Sequence, residues 1–330
     1  MNFNETILPW HAVQWAYLQE TIKQDRIPQA LIINGIVGLG KRQLAEQYAT
    51  ALLCENRGPN LLACGNCHSC LLLKANTHPD FISIEPETEE KALGIDIIRN
   101  LLPKLALKPQ FEGVRVVLIH SAEQMSTASA NAFLKCLEEP SERTVIVLVC
   151  ANYRRLPATI LSRCQHLAIS KPTPSLGVAW LSSQGVQVDQ TVLLHLAQGA
   201  PLLALSYAQE KLLATRNQCF GDWMKIAQRQ IHPVVVAEQW QKLPLASLLQ
   251  WLAGWVSDLI KSQYTHVEHY FDNQDLLKQL QMSSARLESK QLFTLYDKVL
   301  EAQKLLHTTL NKQLLLEVIL LHWYDLNYRR

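Results

Sequence analysis

The chain has 330 residues, enough for two or three domains and a sizeable core, and 48% hydrophobic with 18% charged residues is the balance of a globular protein. Thirty-one Lys and Arg against 29 Asp and Glu leave a formal charge of +2, which argues against a chain that grips nucleic acid alone but leaves room for a local basic strip. With 14 Pro and 12 Gly it is neither collagen-like nor of low complexity.

The opening MNFNETILPW has no basic n-region and no apolar h-region, so no signal peptide is predicted. The longest apolar candidate, 314–321, is short and contains Glu317, so no transmembrane helix is predicted and a cytoplasmic location is expected. Short β-rich runs at 30–33, 80–84, 114–119, 145–150 and 166–169 alternate with segments of helical spacing such as 41–53 and 126–137. Such alternation predicts an α/β domain with a parallel sheet. The runs 114–119 and 145–150 are almost wholly apolar, as strands buried on both faces should be. After 169 the strand signals stop. Lys171-Pro-Thr-Pro174 reads as a linker because each Pro blocks helix continuation, and a short helical patch runs on to about 207. From there the chain reads as helices. Leu248, Trp251, Leu252, Trp255 and Leu259 mark one apolar stripe. Leu292, Tyr296, Val299, Gln303, Leu306, Leu310 and Leu314 mark another, with one polar interruption.

Three segments carry chemistry. Gly35-Ile-Val-Gly-Leu-Gly40-Lys41-Arg42 follows the first strand and opens a helix, the context of a phosphate-binding loop. Gly35, Gly40 and Lys41 fit G-x-x-x-x-G-K-[ST], but Arg42 replaces the hydroxyl residue that would hold Mg²⁺. His120 and Ser121 follow the 114–119 strand, where a competent site carries an Asp for the metal and a Glu for the water. Glu123 lies two residues beyond Ser121 and is expected to face elsewhere. Cys54-x9-Cys64-x2-Cys67-x2-Cys70 is the strongest local signal. Four thiolates close a tetrahedral zinc shell with no open position, so a structural site is expected. His68 in place of one Cys, or free thiols without metal, are the alternatives. The other cysteines, Cys136, Cys150, Cys164 and Cys219, are scattered. Leu161-Ser-Arg163-Cys164 precedes the last strand and is too short to mean anything alone.

Taken together these blocks resemble the AAA+ clamp-loader subunits of bacterial DNA polymerase III. The likeness also rests on His78-Pro-Asp-Phe81, on the LEEP end of 131–140, on 156–164 and on 311–317 near the C-terminus. Within that group the departures resemble the non-hydrolysing delta-prime type. The gamma/tau type would need an intact GK[ST] and an Asp-Glu after the 114–119 strand. It would also need a polar residue near 150–151, where none stands before Asn152, and an Arg where the 199–205 segment has Leu202.

The resemblance implies a RecA-like α/β domain over 1–166 with the zinc module at 54–70, a helical lid over 167–207 and a helical collar over 208–330. It implies a chain that is no enzyme by itself but a component of the DNA polymerase III holoenzyme. Gamma/tau and delta subunits would be its ring partners, with the beta sliding clamp and primer-template DNA reached through the complex. Gly35, Gly40 and Lys41 would be a vestigial loop that hydrolyses no ATP, and Cys54, Cys64, Cys67 and Cys70 would hold a structural Zn²⁺. Arg163 would act in trans on a neighbour's ATP. Arg99 and Lys104 are candidate phosphate contacts, and Trp251, Trp255 and the 292–314 stripe are candidate collar contacts. Two other readings predict different behaviour. A self-sufficient ATPase with divergent metal ligands would turn over ATP alone, and a zinc-module nucleic-acid-binding protein would bind DNA alone in a salt-sensitive way.

Overall fold

In the computed structural model, which describes residues 6–58, 60–86, 92–111, 113–139, 141–307 and 311–328, the chain divides into two compact units, Met1–Leu176 and Gly177–Arg330. Residues 1–5, Pro140 of the LEEP block and Leu310 of the second apolar stripe lie outside the described residues.

The first unit opens with helix α1 (Ala12–Lys23) and continues as strand β1 (Ala30–Asn34), α2 (Lys41–Leu53), α3 (His68–Lys74), β2 (Phe81–Ile84) and α4 (Ile95–Ala106). Then come β3 (Arg115–Ile119), α5 (Thr127–Glu138), β4 (Thr144–Cys150), α6 (Ala158–Leu161) and β5 (Gln165–Ala168). All pairings are parallel, in the order β2-β3-β4-β1-β5. The predicted strands and helices appear with their ends moved by a residue. β3 and β4 are buried along their whole length, as their almost wholly apolar character requires. Ile32, Val117, Ile119, Ile146 and Leu148 form one core with residues of α4, α5 and α6, while the alternate Leu31, Ile33, Val116, Leu118 and Val147 are equally buried. Because β1 has neighbours on both sides, the loop after it opens at the carboxyl edge of the sheet, where the strand order reverses and α/β proteins place ligands.

Helix α7 (Pro174–Ser183) spans the boundary, and the second unit continues as helices: α8 (Gln190–Leu196), α9 (Pro201–Gln209), α10 (Leu212–Ala227), α11 (Pro233–Trp240), α12 (Leu245–Ser262), α13 (Leu277–Ser284), α14 (Ser289–Lys304) and α15 (Lys312–Leu326). Among the described residues it holds two separate apolar clusters. The smaller gathers Leu181, Leu193, Leu194, Ala197 and Ala204. The larger runs from Cys219 to Leu326 and is built on indoles, with Trp223 stacked on Trp323 at 4.0 Å. Arg216 is fully buried and is satisfied by Asp275 at 2.7 Å and by the Asn273 amide oxygen at 2.6 Å. Asn273 in turn donates to the buried Asp258, 2.7 Å away, so each of these buried charges has a polar partner.

Candidate functional site

The loop between β1 and α2 has the backbone of a phosphate loop. A Cβ at Gly35 would stand 2.8 Å from the Ile169 carbonyl oxygen, so only glycine fits. Gly38 and Gly40 sit at φ of 81° and 79°, the left-handed region glycine favours. The loop is held from the N-terminal side, where Trp10 Nε1 and His11 Nε2 both donate to the Leu39 carbonyl, at 2.9 and 2.6 Å. Lys41 turns back onto its own loop and donates to the Ile36 carbonyl at 2.8 Å. Burial lowers its pKa, and the charge of Glu123 partly opposes this.

Arg42 and His120 stand at the two positions where a competent phosphate loop would hold its metal. Arg42 donates to Glu46 at 2.8 Å and to Glu85 at 2.7 Å. His120 is buried at the end of β3, its Nε2 has no protein partner, and burial lowers its pKa. Ser121 takes a left-handed conformation and leads into a short turn over Ala122–Gln124. That turn corrects the expectation for Glu123. Its Oε1 accepts the Ala151 N–H at 2.7 Å, beyond the end of β4, and its charge is felt by Lys41 and Cys150. Sequence distance from Ser121 suggested another direction, but a tight turn reverses a side chain within two residues. Cys150 is buried at the end of β4, and Asn152 spends its side-chain oxygen on the Arg154 N–H at 3.1 Å.

His11 supplies a pH signature. It is completely buried, and desolvation lowers its pKa from 6.5 to about 4, against the raising effect of its bond to Leu39. The unfolded chain therefore binds the proton more readily. The contribution is complete above pH 6.5 and is lost as the pH falls towards 4, amounting to about 3 kcal/mol at most. Denaturant unfolding of wild type and His11→Gln at pH 7.5 and 4.5 should show a smaller acid loss in the variant, which keeps a donor but does not titrate. Equal acid losses would show that His11 is not held neutral.

The four cysteine sulfurs Cys54, Cys64, Cys67 and Cys70 all lie within 4.8 Å of one another. Cys54 caps the C-terminus of α2 and Cys67 the N-terminus of α3, so two helix ends and the 64–67 turn deliver the ligands. The Cys54–Cys67 and Cys64–Cys70 sulfur pairs are 3.9 Å apart. The edge of a tetrahedron with Zn–S bonds of about 2.3 Å is about 3.8 Å, so the cluster can hold a metal ion of that kind. Backbone N–H groups of Asn66 and Cys67 point at Cys64 Sγ from 3.5 and 3.3 Å and bring its pKa down to about 6. Burial pushes Cys70 and Cys54 the other way. His68 is not in the cluster, and its ring packs edge-on to Phe111. Cys136, Cys150, Cys164 and Cys219 are separate buried thiols with pKa raised by desolvation.

The 78–81 block ties this cluster to the sheet, a role the sequence did not reveal. Ser69 Oγ donates to the Leu53 carbonyl at 2.6 Å and lies 2.8 Å from His78 Nε2, while His78 Nδ1 receives the Asp80 N–H at 3.1 Å. These contacts define one tautomer, with the proton on Nε2. Asp80 is buried, accepts the N–H groups of Gln110 and Phe111 and pairs with Arg115 at 3.1 Å. Arg115 also donates to the carbonyls of Lys104, Leu107 and Lys108, closing the end of α4. The only sequence signal for this pair is a charge at the edge of each of two apolar runs. A groove of about 860 Å³ along β2, which ends the sheet, is lined by residues that include Arg42, Glu85 and Lys104. Arg99 is exposed on α4 and lies 3.7 Å from Asp96.

Arg163 follows α6 and is exposed, while the neighbouring Cys164 points into the core. Its guanidinium pairs with Glu138 at 3.0 Å and donates to the Thr159 carbonyl at 3.1 Å.

The helical unit corrects the expected contact faces. Trp251, Trp255, Leu292 and Val299 are buried in its own core and are not free to meet a partner. The second stripe is not one helix face. Leu292–Gln303 belongs to α14, where Gln303 donates to the Leu249 carbonyl at 3.3 Å, and Leu314 begins a separate helix. Exposed apolar residues are spread over several helices, including Val235 on α11, Met282 on α13 and Phe293 on α14, but on α15 Leu314, Val318 and Leu321 follow one another at helical spacing. Leu202 stands on α9 and brings no charge there. No single helix among the described residues is long and apolar enough to cross a membrane.

A parallel sheet of this order, with a phosphate-type loop after β1, defines the first unit as a P-loop α/β domain of RecA-like topology. Family models described as DNA polymerase III, delta subunit, and DNA polymerase III, delta subunit, C terminal, match residues 10–173 and 210–325. The chain is 34% identical over 325 residues to DNA polymerase III subunit delta' of Pseudomonas aeruginosa, covering 97% of this chain and 98% of that one. It is 30% identical to the Yersinia pestis subunit delta', covering 96% and 94%. Similarity to DNA polymerase III subunit tau/gamma of Haemophilus influenzae is 32% over 187 residues, 56% of this chain and 27% of that one. The chain belongs to the DNA polymerase III subunit delta' family.

Proposed function

We propose that this chain is the non-hydrolysing wall of a clamp loader that places the beta sliding clamp on primed DNA in the cytoplasm. Its partners are gamma/tau and delta subunits, and its chemical contribution is Arg163, offered to the ATP of a neighbour. The observation that carries this reading is an exposed arginine on a domain whose own site has Arg42 tied to Glu46 and Glu85, and His120 where an acid is needed. Domain limits of 1–166, 167–207 and 208–330 go with the reading. The separate apolar cluster between Leu181 and Ala204 supports a lid distinct from the collar. Leu314, Val318 and Leu321 replace the buried tryptophans as collar contacts. Cys54, Cys64, Cys67 and Cys70 hold a structural zinc, which would fasten helix ends and supply no catalysis.

The test combines two measurements. The purified chain should show no Mg²⁺-dependent ATP turnover, yet it should restore clamp loading when mixed with gamma/tau and delta subunits. Turnover by the chain alone that Lys41→Ala abolishes would overturn the non-hydrolysing role. Loading that is complete without the chain would overturn the assignment as a loader wall.

A further inference from the structure

Building on the trans role proposed for Arg163, we infer that Glu138 is its positioning residue. Glu138 Oε1 lies 3.0 Å from Arg163 Nη2, while Nη1 donates to the Thr159 carbonyl at 3.1 Å and to Ser162 Oγ at 3.4 Å. The two backbones that carry the pair are fixed by one core, since Ile160, Leu161 and Cys164 pack with Phe133, Cys136 and Leu137 of α5. Only side-chain torsions remain to be set.

Glu138 is the last residue of α5, at the negative pole of the helix dipole, where a carboxylate is disfavoured unless a cation stands beside it. Carboxylate and pole together draw the guanidinium to that spot. The side chains of Arg163 and Glu138 are 38% and 51% exposed, so the pair is weak. It is too weak to lock the arginine away from a phosphate. It still narrows the rotamers of a long side chain before the phosphate arrives, which is what a transition-state contact needs. Glu139 is exposed beside it and makes no ion pair among the described residues, so it serves as an internal control.

The experiment uses the assembled loader, with only the ATP site next to Arg163 left active, and resolves kcat and KM for ATP. Wild type is compared with Glu138→Ala, Glu138→Gln, Glu139→Ala, Arg163→Ala and the Glu138→Ala/Arg163→Ala double variant. Glu138→Ala should lower kcat by about two- to fivefold with little change in KM. Glu138→Gln, which keeps the acceptor oxygen, should fall between, and Glu139→Ala should match wild type. The Glu138→Ala deficit should shrink at high salt, which screens the wild-type pair. In the Arg163→Ala background the Glu138 substitution should have no further effect.

The outcomes separate the two claims. An Arg163→Ala variant with wild-type kcat removes the trans role, and the inference falls with it. A large Arg163→Ala defect beside wild-type kinetics for Glu138→Ala overturns only the inference. So does an equal Glu138→Ala loss with or without Arg163, or a gain in kcat on removing Glu138, which would make Glu138 a restraint.

Discussion

Arg163→Ala should lower ATP turnover at the neighbouring site by roughly 10³–10⁵, the range typical of an arginine supplied across an interface. A guanidinium supplied in this way would neutralise charge that builds on the transferring phosphoryl oxygens, a benefit that exists only in the transition state. Net turnover of a loader with several ATP sites should fall less, because the other sites keep their own arginines. Folding and assembly should survive. Arg163 is exposed, and its loss leaves the Glu138 carboxylate in contact with water. Arg163→Lys should rescue poorly, since an ammonium lacks the planar fork. DNA- and clamp-stimulated turnover and clamp-loading rates in a reconstituted loader check this. Wild-type rates for the Ala variant would make Arg163 an ordinary surface residue.

Loss of one thiol from the four-cysteine cluster should have the largest effect on stability. The wild-type chain is expected to carry one zinc, and Cys70→Ala should carry close to none. Metal binding and local folding are coupled, so the segment between α2 and α3 should open and the first unit should unfold at a lower temperature. The damage should spread, because Ser69 and His78 link that segment to Leu53 and Asp80. Cys136→Ala, at a buried thiol outside the cluster, should keep its zinc and pay only for its cavity. Elemental analysis and thermal unfolding read both effects. A zinc content near zero in wild type purified under reducing, metal-replete conditions would overturn the zinc assignment.

The sequence by itself determined the five strands of the first unit and its helices α2 and α5. A buried helix could give an apolar run such as 145–150, but six residues are short for one and fit a strand buried on both faces. The sequence also determined the glycines of the phosphate-type loop and the gathering of four sulfurs, because local spacing decides both. Only the tertiary structure decided what depends on residues far apart in the chain. It paired Asp80 with Arg115 and Glu138 with Arg163, and a turn brought Glu123 back to the Ala151 N–H. It buried Trp251 and Trp255 in their own unit and left Leu314, Val318 and Leu321 outside. An apolar stripe shows that a helix has a face to cover. Which stripe is covered from within the chain depends on how the helices pack, and a helical period in one segment carries no information about the others.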